Sequence, residues 1–122
     1  MATNQTEGVH AGEFILSEVD PEISREVVTL ASGQDLAAGA VLGQKTADGE
    51  YAEHDPAAGD GTETAVAILY DSEDTVDGAA KVTVVARLAA VVESQLSWID
   101  GIATADKDDA ITALANNFII TR

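Results

Sequence analysis

The sequence contains no cysteine, so disulfides and thiolate zinc sites are excluded and the redox compartment stays open. Aromatic residues make up only 4% of the chain. A core drawn from Ala, Val, Ile and Leu with so few large rings is thin, and thin-cored domains gain stability by burying surface against copies or partners. Basic residues are scarce as well, six against twenty-two acidic ones, for a formal net charge of −16. The six (Arg25, Lys45, Lys81, Arg87, Lys107 and Arg122) form no stripe in the sequence. Nucleic-acid binding depends on clustered Lys and Arg displacing counterions, so direct nucleic-acid binding is disfavoured. Anionic membrane surfaces are disfavoured on the same ground. No apolar run approaches the roughly 20 residues of a membrane span, and the start "MATNQTEGVHAGEF" lacks a secretory signal's basic and apolar segments. The expectation is a soluble, non-secreted protein.

What remains fits one domain of 122 residues. Residues 1–22 read as a polar, acidic, extended N-terminal arm that ends where Pro21 breaks regular structure. Residues 23–122 read as the single folded domain. Within the arm lies one apolar word, Phe14-Ile15-Leu16, preceded by Glu13. A polar segment with one sticky extended stretch suggests a strand that pairs with something else. A loose terminus or a strand returning to its own domain are the alternatives.

From Ser24 onward the pattern is mainly β. "EVVTL" is β-branched, and Gly33, Gly39 and Gly43 punctuate short apolar pieces as the turns of a small barrel would. Asp48-Gly49 signals a hairpin leading into an edge strand with Tyr51 and Glu53. "TAVAILY" is apolar on both faces and short, which marks a central strand. Lys81–Ser94 is the longest strand candidate, although its second half also fits helical spacing. One helix is expected in "TADKDDAITALANNF", capped by Thr104 or Asp106, with Ile111, Leu114, Ala115 and Phe118 on one apolar stripe. "FIITR" then returns as a final strand. The fold class is therefore mainly β (α+β), a small barrel with one short C-terminal helix and an extended N-terminal arm.

Motifs that carry chemistry are missing. "GAVLGQKT" has three residues between its glycines and Gln44 before Lys45, so it lacks the phosphate-loop spacing. The carboxylates around "AVAILY" fail the calcium-loop pattern, because the fifth and sixth positions counted from Asp71 are Thr75 and Val76. His10 and His54 are the two histidines and stand far apart, with no HExxH pair. No catalytic residue, metal or cofactor is expected. Trp98, the sole Trp, reads equally as a cap on the core or as an anchor at an interface, where Trp is enriched.

Three longer words then point to a family. "VVTLASGQDLAAGAVLG", "GEYAEHDPAAGDGTETAVAILY" and "ARLAAVVESQLSW" resemble the head decoration proteins of lambda-like tailed bacteriophages. The resemblance runs from about Ser24 to Trp98 and continues loosely to Arg122. It implies a β-clip-type fold and a homotrimer at three-fold and quasi-three-fold points of the expanded head, on the outer surface of the virion. There the trimer would cement the major capsid protein against internal DNA pressure, without catalysis. It also implies that the arm adds a strand to a capsid-protein sheet, a role that falls here on Glu13, Phe14, Ile15 and Leu16. The arm and the region after Trp98 depart from the lambda type. A β-clip ligand-binding module of the sugar-acid type and an enzyme built on dispersed carboxylates are the alternatives.

Overall fold

In the computed structural model, residues 11–122 are described, and the first ten residues of the expected arm lie outside them. The elements in order are β1 (Ile15–Glu18), α1 (Pro21–Ser24), β2 (Arg25–Leu30), β3 (Asp35–Leu36), β4 (Val41–Gln44), β5 (Tyr51–Glu53), β6 (Ala67–Leu69), β7 (Glu73–Asp74), β8 (Ala80–Val85), β9 (Ala89–Val91), a 3-10 turn (Glu93–Gln95), α2 (Thr104–Asn116) and β10 (Ile119–Thr121). Five strands close a barrel in the order β2-β5-β4-β6-β8. The chain is thus mainly β with one substantial helix near its C-terminus.

The barrel follows from its sequence. Val28, Leu30, Val82 and Val84 come from β2 and β8, which pair antiparallel over six residues. With Leu42, Ala67 and Leu69 they fill the interior. "AVAILY" supplies β6, buried at every position between β4 and β8. The Asp48-Gly49 hairpin forms as expected, with Gly49 in the left-handed region at φ 76 and β4 paired antiparallel to β5. β5 is not an edge, however. It also contacts β2, because the small barrel closes and leaves no edge. Gly43 is required by close approach, since a Cβ there would lie 2.5 Å from Thr62 Cα.

A second layer packs outside the barrel. β9 is the centre of a three-stranded sheet, antiparallel to β1 and parallel to β10. Beneath it lies a second cluster of Phe14, Ile68, Val85, Val91, Leu96, Leu114 and Ile119, contributed by barrel, sheet and helix.

This layer corrects several expectations. The boundary of the packed chain does not fall after residue 22. Phe14 is fully buried, Ile15 packs against the same cluster, and the Gly12 amide donates to the Tyr70 carbonyl. The strand in the arm returns to its own domain. Pro21 opens the short helix α1 rather than breaking structure, with the Asp20 carboxylate accepting from the Glu22 amide; the missing proline N–H costs nothing at a first helical turn. The long strand 81–94 divides into β8 and β9 at Leu88, whose φ is 57. The helix starts at Thr104 after Ala103, with no side-chain cap. Its buried positions are Ala110 and Leu114, while Ala115 is exposed. Phe118 leaves the stripe because it turns left-handed at φ 62 and points outward.

Candidate interaction surfaces

The carboxylates flanking "AVAILY" order turns. Asp60 accepts from both the amide and the hydroxyl of Thr62, which holds its pKa below the ordinary value. Glu63 accepts from the Gly61 amide, Asp71 from Ser72 and Asp74 from Val76. Among the described residues no group of three or more His, Cys, Asp or Glu is placed to hold a metal. No described helix is long and apolar enough to cross a membrane.

The arm residues divide in the structure. Phe14 and Ile15 serve the core, while Glu13 and Leu16 are exposed, Leu16 to 56%. The root of the arm is held firmly. Arg25 grips the Glu18 carboxylate with two charge-assisted bonds, Nε to Oε2 at 2.9 Å and Nη2 to Oε1 at 2.8 Å. The same guanidinium lies 4.3 Å from the centroid of the Tyr70 ring. The bond to Glu18 raises the Arg25 pKa above its ordinary value. Such bidentate pairs fix geometry as well as charge.

The outer face of the three-stranded sheet is apolar and uncovered by any described residue. The pairing register puts Ser17, Ala90 and Ile120 in one row, on the side away from Ala89 and Ile119, which are buried. Val19 (72% exposed), Phe118 (65%) and Ile120 (39%) stand on this face. With Ser17, Leu88, Ala89 and Ala90, and with Arg122 at its margin, they line a shallow hollow of about 250 Å³. Two neighbouring backbone segments maintain it at a cost. Leu88 and Phe118 are the non-glycine residues with positive φ among those described, and left-handed backbone costs an L-residue about 1–2 kcal/mol. Both are fixed by their hydrogen bonds. The Leu88 carbonyl accepts from the Ser24 hydroxyl at 2.9 Å and from the Val19 amide at 3.1 Å. The Phe118 carbonyl accepts from the Ala89 amide at 3.1 Å, and its own amide donates to Ala115. Each turn also delivers the residue after it, Ala89 and Ile119, into the second core cluster. Sequence reasoning missed this face, since nothing local in the sequence marks a Phe in a left-handed turn.

Trp98 is half-buried. One side packs on the second core cluster and meets the His54 ring edge-on, 6.4 Å between centroids. The rest is open, with Lys107 Nζ 6.0 Å from the ring centroid. His54 beside it is buried, its Nε2 facing the Glu63 carbonyl at 3.2 Å and its Nδ1 without a hydrogen-bond partner among the described residues. Burial holds the His54 pKa below its ordinary value.

Comparison with known proteins yields one family. The model of the bacteriophage lambda head decoration protein D family matches residues 4–119. No curated protein matches the chain.

Proposed function

From a chain that belongs to the bacteriophage lambda head decoration protein family, we propose a capsid cement: a homotrimer that seats on three-fold and quasi-three-fold sites of the expanded head, on its outer surface, and strengthens the shell against packaged DNA. The family itself places the chain with the phage capsid as a structural component. No bond is made or broken in this role.

The observation that carries the finer reading is the uncovered apolar face beside the root of the arm. Val19, Phe118 and Ile120 project from it, and β1 leads directly into it. A contiguous exposed apolar patch on an otherwise highly charged chain marks an interaction site. The major capsid protein is the partner the family implies, so this face and the arm up to Leu16 would meet it together. Phe14 and Ile15 support that contact from within the domain, and Glu13, Leu16 and the residues before them would make the reach. Three such contacts on one rigid trimer act jointly, and linkage of that kind gains about a hundredfold or more over a single contact. The acidic remainder keeps densely displayed copies from adhering to one another.

The test is co-sedimentation with expanded heads. Ile120→Asp changes a solvent-facing side chain and leaves the buried clusters intact. It should keep the native far-ultraviolet circular dichroism and lose most head binding. Native-level binding by this variant would refute the assigned face.

A further inference from the structure

Trp98 stands between two hollows of opposite charge. On one side Lys107 and Arg122 line a hollow of about 370 Å³ that holds one carboxylate, Glu93. On the other, Asp35, Glu53 and Asp100 line a hollow of about 350 Å³ that holds no cation. In a chain with six bases this partition is informative. Arg25 and Arg87 are spent on Glu18 and Glu26. Among the described residues the other four bases form no ion pair, and of these Lys107 and Arg122 stand together in one hollow while Lys45 and Lys81 line neither.

The acidic hollow is electrostatically incomplete. Glu53 is half-buried, and its pKa is pushed upward by burial first and then by Asp100 and Asp55. Like charges gathered without a counter-ion disfavour their own ionised form, and an approaching cation relieves that cost. Each hollow therefore lacks what the other offers, and the half-buried indole between them supplies an apolar anchor. A ridge with two different, complementary flanks is the shape a ring subunit needs, because head-to-tail contacts close when the rotation between subunits closes.

We propose that the Trp98 ridge is the contact between copies of this chain, with Lys107 and Arg122 of one subunit entering the Asp35, Glu53 and Asp100 hollow of the next to close a ring of three. The occupant is a second copy because the two charges sit on one chain in complementary hollows, and a net charge of −16 makes contacts between copies unfavourable where no such complement exists. This assignment rests on the trimeric reading given above, and it concerns a surface centred on Trp98 that adjoins the apolar face assigned to the capsid, Arg122 lining both.

The test uses the full-length protein and needs no heads. Molar mass is measured by light scattering for the native chain, Asp100→Lys, Lys107→Glu, and the chain carrying both changes, with circular dichroism confirming the fold. The native chain should have the mass of three subunits. Each single reversal should weaken association at least tenfold, and the double reversal should restore it, because Lys at 100 then faces Glu at 107. High salt should weaken the native trimer, since rim charges are screened. Folded single variants that remain trimers at native strength would overturn the Trp98 contact and leave the trimeric reading standing. So would a folded double variant that stays dissociated. A native chain with the mass of one or two subunits would overturn the trimeric reading itself, and the contact with it.

Discussion

The closed barrel and the three-stranded sheet beside it are both held by aliphatic packing, yet they treat their outer surfaces differently. In the barrel, β2, β4, β5, β6 and β8 leave no strand edge, and its turns are finished with carboxylates that accept from backbone amides. The sheet is assembled from the two ends of the described chain, β1 and β10, on either side of β9. It keeps an apolar outer face, two left-handed non-glycine residues and a bidentate ion pair at its margin. The arm, the apolar face and the chain's strained backbone all meet in the sheet, which is why attachment is assigned there.

The largest effect that would break this contrast comes from Phe14. If the arm root belongs to the core, Phe14→Ala should cost about 3–5 kcal/mol, read as a lower urea midpoint. Removing residues 1–10 should leave that midpoint near native. A Phe14→Ala variant as stable as the native chain would return the boundary to residue 22.

Next is the ion pair at the sheet margin. Arg25→Ala leaves the mostly buried Glu18 carboxylate without its partner and should cost about 1–3 kcal/mol, the lower end if solvent reaches the exposed side of the pair. Arg25→Lys should recover only part of this, because an ammonium cannot form both bonds. Full rescue by Lys in chemical denaturation would show that the pairing geometry is unimportant.

Strain makes a prediction of opposite sign. Phe118→Gly removes a side chain from a left-handed position and should stabilise the fold by up to about 1 kcal/mol, while reducing attachment to heads. A Gly variant less stable than native in the same denaturation experiment would mean that Phe118 packs for stability.

The smallest effect is a pH slope that sharpens the barrel side of the comparison. Burial lowers the folded-state pKa of His54 from 6.5, so the unfolded chain takes up the proton first. Stability is fully present above about 6.5 and declines as the pH falls from there towards the folded value. Glu53, whose pKa is raised, acts in the other direction, gaining stability as the pH falls towards the ordinary carboxylate range. The thermal midpoint should therefore slope less between pH 7 and 5.5 in His54→Gln than in the native chain. Equal slopes would show that His54 is not the group responsible.

Much of the barrel could be read from the chain because its signals are local. β-branched "EVVTL", the apolar word "AVAILY" and Asp48-Gly49 each specify a strand or turn within a few residues. The mainly β class and the helix near the C-terminus followed from the same signals. Phe14-Ile15-Leu16 was different, since a short apolar word looks the same whether it pairs with its own sheet or with another protein. The fate of Phe118 depended on one backbone torsion at the helix end, which the i, i+4 spacing to Leu114 concealed. The charge division around Trp98 was invisible for a third reason. Asp35, Glu53 and Asp100 lie far apart in the sequence and meet only when β3, β5 and the turn after Trp98 come together.

Whether the sheet's outer face grips the shell is tested most directly by imaging expanded heads incubated with the native chain and with folded Ile120→Asp. Three-lobed density is expected at three-fold and quasi-three-fold positions for the native chain, and bare positions for the variant. Equal occupancy by both, or no density from the native chain at all, would contradict that grip.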